Sequence, residues 1–151
     1  MRGFLLASAV SLGFCLVAQS AAADDMTPVG RWRAVSDKTG NVTGIIEITA
    51  VGDSLQGRIV KSIPDPDDDP PDTICTKCDG PDKNKPILGL TIMKGFHKDG
   101  DSWDGGTILD PRSGNVYSAE MHLGDNGKKL FLRGYLGISL LGRTETWLRA
   151  E

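Results

Sequence analysis

The chain is poor in the groups that most catalytic and binding chemistries require. It has two histidines, His97 and His122, which fall on different predicted strands with no partner at ligand spacing. A zinc site built on imidazole is therefore not expected. No Gly-x-Ser-x-Gly elbow occurs, Ser113, Ser118 and Ser139 lie outside any nucleophile motif, and no glycine-rich phosphate cradle is present. Basic charge is in deficit, with 17 Lys and Arg against 20 Asp and Glu. That balance argues against nucleic acid and anionic membrane surfaces as partners, since both need a concentrated basic face. Apart from one apolar run near the start, nothing approaches the roughly 20 residues of a membrane span. No stretch beyond that run holds a helical period of convincing length.

The one long apolar run reads as part of a secretory signal peptide. Met1-Arg2 supplies the charged start, residues 4–18 are almost unbroken apolar, and Ala21-Ala22-Ala23 has the small-x-small pattern before Asp24. Cleavage near Ala23/Asp24 is expected to deliver residues 24–151 to the periplasm as a single domain. Lipidation at Cys15 is disfavoured because the bulky Phe14 precedes it where a small residue is needed. Removing residues 1–23 from 151 leaves 128, enough for one core without a metal. It also removes Cys15, leaving the even pair Cys75 and Cys78. In an oxidising compartment such a pair defaults to a disulfide.

Turn signals cut the remaining chain into short pieces. Asp37-Lys38-Thr39-Gly40, Gly52-Asp53, Lys98-Asp99-Gly100-Asp101, Asp110-Pro111-Arg112-Ser113-Gly114 and Asp125-Asn126-Gly127 each offer residues that tolerate positive φ. Eight strands are predicted between them, at about 29–35, 43–50, 54–62, 89–97, 102–109, 115–123, 128–136 and 142–149. Several alternate cleanly. Gly44, Ile46 and Ile48 oppose Glu47 and Thr49; Tyr117, Ala119, Met121 and Leu123 oppose Ser118, Glu120 and His122; Leu130, Leu132 and Leu136 oppose Lys129, Arg133 and Tyr135. Period two with one apolar face marks half-buried antiparallel sheet. The expected fold is all-β, an up-and-down antiparallel β-barrel of about eight strands, because closure removes both exposed edges. An open sandwich is the competing arrangement.

Residues 63–88 interrupt the rhythm with a long Pro- and Asp-rich connection that contains Cys75 and Cys78. Asp65, Asp67 and Asp69 match the first ligand positions of a calcium loop, but Pro70 occupies the required glycine position and Thr76 the closing glutamate. An EF-hand is excluded. A redox role for Cys75-x-x-Cys78 lacks the helix N-terminus that activates such thiols, since Asp79-Gly80-Pro81 follows directly. The pair is expected to pin a local turn.

Several motifs together resemble a family of small bacterial exported proteins known as domain of unknown function 2147. They are Pro28-Val29-Gly30-Arg31-Trp32, Cys75-x-x-Cys78-Asp79-Gly80, Lys85-Pro86-Ile87-Leu88-Gly89-Leu90, the segment from Trp103 to Tyr117 with Asp110-Pro111 and Ser113-Gly114, Arg133-Gly134-Tyr135-x-Gly137, and Gly142-Arg143-Thr144-x-Thr146-Trp147. This resemblance covers nearly all of residues 24–151 and implies a grouping without an established activity. Gly30-Arg31-Trp32 is also similar to the Gly-x-Trp of calycin barrels, which include the lipocalins. That similarity implies an arginine of the last strand packed over the tryptophan at a barrel end. Arg143 or Arg149 can fill the role, and the assignment falls on Trp32 with Arg143.

The candidate site is the barrel interior. Parity places Ile46, Ile48, Leu55, Ile59, Tyr117, Met121, Leu130 and Leu132 there, a lining suited to a small apolar or amphipathic ligand. Of the carboxylates Glu47, Glu120 and Glu145, parity sends Glu47 and Glu120 outward. The expected function is non-enzymatic binding of such a ligand or of an envelope component, with no cofactor, no metal and no catalytic residue. The alternative is a packed barrel that acts through its acidic loop as an interaction or metal-responsive accessory.

Overall fold

A computed structural model describes residues 26–138 and 141–150. The expected signal peptide, residues 1–23, lies outside the described residues. The described residues form eight strands: β1 (Gly30–Val35), β2 (Val42–Val51), β3 (Ser54–Ser62), β4 (Thr91–Asp99), β5 (Ser102–Leu109), β6 (Val116–Gly124), β7 (Lys129–Tyr135) and β8 (Arg143–Arg149). Each pairs antiparallel with its sequence neighbour, and β1 with β8, so the sheet closes into an up-and-down barrel. The closing seam is short: Trp32 faces Arg149 and Arg33 faces Leu148, with Ala150 N–H donating to the Arg31 carbonyl at 2.8 Å. Among the described residues no helix is long and apolar enough to cross a membrane. The long β3–β4 connection carries one 3-10 turn, Gly80–Asp82.

Alternation within each strand divides the barrel into inside and outside. On the outer face, Glu47 accepts hydrogen bonds from Arg31 and Arg58. Both cations hold its carboxyl below the ordinary range, Arg58 more than Arg31. His97 and His122 are also exposed there, His122 stacked on Phe131. Inside, Trp32, Ile48, Leu55, Met93, Phe96, Met121 and Leu130 are buried and fill one half of the barrel. Two glycines make room for the largest of them. A Cβ at Gly57 would lie 2.8 Å from Met93 Sδ, and one at Gly106 2.5 Å from the Phe96 ring.

An arginine closes that packed end, and it is Arg149 rather than Arg143. The Arg149 guanidinium lies 4.3 Å from the Trp32 ring centroid. It donates to the carbonyls of Gly127 (2.7 Å), Val29 (3.3 Å) and Thr27 (2.8 Å). Trp32 Nε1 donates to the Pro28 carbonyl at 2.8 Å. Arg143 stands at the other end of β8, in a bidentate pair with Asp37. Leu136 also departs from expectation: β7 ends at Tyr135, and Leu136 is exposed in the connection that follows.

Candidate functional site

Above the packed half the barrel opens. A cavity of about 560 Å³ lies between the strand ends and the β1–β2, β3–β4 and β5–β6 connections. Its wall contains Ile46, Ile59, Ile108, Leu132 and Trp147 together with Tyr117 and Glu145, and charged residues, among them Asp37, Lys38, Lys61, Asp110, Arg112 and Arg143, also line it. The eight interior residues read from the sequence therefore separate by depth. Ile46, Ile59, Tyr117 and Leu132 line the cavity, whereas Ile48, Leu55, Met121 and Leu130 belong to the packed floor. The barrel is hollow at one end and solid at the other.

Gly134 is part of the wall. It faces Arg143 across the β7–β8 pair, and no atom comes closer than 3.6 Å to where its Cβ would sit. Its missing side chain widens the cup.

Glu145 is the functional candidate that sequence reasoning left unplaced. Along β8 the residues Arg143, Glu145 and Trp147 all face the cavity, while Leu132 on β7 pairs with Glu145. The Trp147 indole N–H donates to Glu145 Oε2 at 3.0 Å. Burial pushes the Glu145 carboxyl above its ordinary range; the Trp147 hydrogen bond and nearby Arg143 oppose the rise, and Asp37 and Asp110 add to it. The signal for its inward position was the alternation with Thr144, Thr146 and Leu148, hidden because charged residues occupy the inner positions.

The rim is stitched together by charge. Asp68 accepts from Lys38 at 2.8 Å and from Arg112 at 2.6 Å, and its carboxyl is held far below the ordinary range by these two partners. Asp65 is buried and accepts from the Thr39 hydroxyl, Asn41 Nδ2 and the Asp67 N–H. Those bonds, the Thr39 contact foremost, lower its pKa. The acidic run thus ties the β1–β2 and β5–β6 turns to the long connection. Among the described residues no group of His, Cys, Asp and Glu is arranged to hold a metal ion.

The disulfide anchors the remainder of that connection. Cys75 and Cys78 are bonded and fully buried, with Cα atoms 5.3 Å apart. Cys75 Sγ lies 3.5 Å from the Pro111 carbonyl oxygen, and Gly114 packs its α-carbon against the Lys77 carbonyl. One wall of the mouth is thereby fixed to the β5–β6 turn.

A closed eight-stranded barrel with a packed base and an open cup defines a lipocalin-like architecture. Residues 30–149 match the family described as "Uncharacterized protein conserved in bacteria (DUF2147)", and the chain belongs to that family. Its fold is similar to that of protein HP1028 from Helicobacter pylori, described as belonging to the lipocalin family. The TM-score is 0.67 at 16% identity, with 82% of each chain covered. No curated protein matches the chain.

Proposed function

We propose that this is an exported, periplasmic, non-enzymatic carrier that holds one small amphipathic molecule in the open half of its barrel. The observation that carries the reading is the cup itself: about 560 Å³, lined by apolar strand residues together with charged ones, closed below by packed side chains and open above. Small-ligand sites have this size and make-up, with a few polar groups set in an apolar wall. The lipocalin-like fold supports binding over catalysis. The signal-like segment at 1–23 and the buried disulfide support an oxidising compartment outside the cytoplasm. Leu136, Ile138 and Leu141 are exposed on the β7–β8 connection at the open end and offer an apolar approach to the mouth.

The acidic connection is better explained as part of the scaffold than as a metal-responsive device. Asp65 and Asp68 already accept hydrogen bonds from Thr39, Asn41, Lys38 and Arg112. Native mass spectrometry of the protein purified gently from its own envelope tests the carrier reading. A stoichiometric small adduct, lost on denaturation, is expected. A clean unliganded mass, together with no binding of Nile red or single-chain amphiphiles, would overturn it.

A further inference from the structure

Resting on the carrier reading, we propose that the cup selects single-chain amphiphiles with a primary amine head, whose ammonium is received by Glu145, and that it discriminates against the corresponding carboxylates. Three observations combine. First, Glu145 is a carboxylate placed in the wall of the cavity, beside Trp147 and opposite Leu132. A charged group in such surroundings is costly to keep unless it is paired. Second, among the described residues its hydrogen-bond partner is a single neutral donor, Trp147 Nε1, which uses Oε2. An ionised carboxylate has about four acceptor positions, so Glu145 keeps acceptor capacity for a ligand. Third, the cation best placed to neutralise it is engaged elsewhere, because Arg143 forms its bidentate pair with Asp37.

The surrounding charges reinforce this sign. The groups acting on Glu145 are Arg143 from its own strand, Asp37 from the β1–β2 connection and Asp110 from the β5–β6 connection. Asp110 is bound to the Arg112 N–H and the Ser113 hydroxyl, neither of which cancels its charge. Glu145 with these neighbours therefore carries an excess of negative charge. An ammonium entering the cup gains a charge-assisted hydrogen bond and relieves an unpaired carboxylate. A fatty-acid carboxylate meets like charge in a medium that screens it weakly. Among the described cations lining the cavity, Lys38 and Arg112 share the single carboxylate of Asp68, and Lys61 stands exposed at the rim. Lys61, with the positive charge left over beside Asp68, is the alternative receptor for an anionic head, held at the mouth with its chain pointing inward.

The test is displacement of Nile red from the folded, disulfide-bonded protein by dodecylamine, dodecanol and dodecanoate at neutral pH, below their aggregation limits. Dodecylamine is expected to bind at least about tenfold tighter than dodecanoate, the scale of one charge-assisted hydrogen bond. Glu145→Gln is expected to weaken dodecylamine at least about tenfold, so that its advantage over dodecanoate is lost. Dodecanoate binding as tightly as dodecylamine to the wild-type protein would overturn the proposal without needing any variant. So would an amine preference that survives Glu145→Gln. Failure of all three amphiphiles to bind would refute the carrier reading itself, and this inference with it.

Discussion

Gly134→Val separates binding from folding because the two effects have opposite signs. Gly134 sits on the cavity wall in β7, and its φ lies outside the left-handed range, so an L side chain fits the backbone. The new Cβ would be 3.6 Å from Ile108 Cγ2 and from Tyr117 Cβ, ordinary van der Waals contact. Its two methyl groups would then project into the cup and take the space of about two ligand methylenes. At about 0.8 kcal/mol per buried methylene, affinity for a chain that fills the cavity falls by about 1.6 kcal/mol. That is roughly fifteenfold in Kd. Stability moves the other way, since replacing glycine inside a strand restores about 0.5–1 kcal/mol of backbone entropy. Titration with dodecylamine, read by Nile red displacement, and urea denaturation of the same preparation supply both numbers. An affinity within twofold of the wild type, with the fold intact, would show that the ligand does not occupy this half of the barrel.

Three further perturbations address the parts that shape the cup. Arg149→Met leaves three backbone carbonyls short of a donor and removes the cation over Trp32. It should lower stability by about 2–4 kcal/mol, whereas Arg143→Met, which breaks an ion pair at the mouth, should cost under about 1 kcal/mol. Urea midpoints compare them, and equal losses would contradict the assignment of Arg149 to the closed end. Gly114→Ala forces a Cβ to 1.9 Å from the Lys77 carbonyl oxygen at φ +76°, while Gly40→Ala meets nothing at φ +80°. Gly114→Ala should therefore be the more destabilising by about 1–3 kcal/mol, and thermal melts that rank them the other way would show that the disulfide segment does not rest on the β5–β6 turn. Burial raises the Glu145 pKa above its ordinary 4.5, so the folded state holds that proton more tightly than the unfolded chain does. Its stability contribution is present below 4.5 and is lost as pH rises through the elevated folded value. Glu145→Gln should match the wild type in acid and exceed it at neutral pH, and denaturation curves that stay parallel across the range would refute the desolvated, half-buried placement.

The barrel was legible because its two determinants are local. Alternation named the inner face of β2, β6 and β7, and turn residues named the boundaries. At Asp125-Asn126-Gly127 all three residues take the positive φ that such a turn demands. The disulfide followed from the even pair left once Cys15 is assigned to the expected signal peptide. Leu136 shows where locality fails. It extends the alternation of Leu130 and Leu132, yet the chain leaves the sheet after Tyr135, with Gly137 in the left-handed region at φ 79°. Apolar character alone did not distinguish the end of a strand from an exposed connection.

The choice between Arg143 and Arg149 was a question of topology rather than of side-chain chemistry. Both occupy the inner parity of β8, so alternation treats them alike. In an up-and-down barrel β1 leaves the end at which the last strand arrives. Trp32, early in β1, can therefore reach only the residue late in β8, which is Arg149. The same directional argument sends Arg143 to the opposite end, and Glu145 between them to the middle of the wall. Read this way, the inner stripe of β8 is a graded series: an ion-paired cation at the mouth, a carboxylate in the cup, an indole at its base and a second cation sealing the floor. A stripe with three charged residues is invisible to a search for hydrophobic periodicity. A solid core would not need Glu145 at such a position, since an apolar residue there would avoid its desolvation cost. The carboxylate becomes intelligible when the space beside it is filled by a molecule that brings a positive charge.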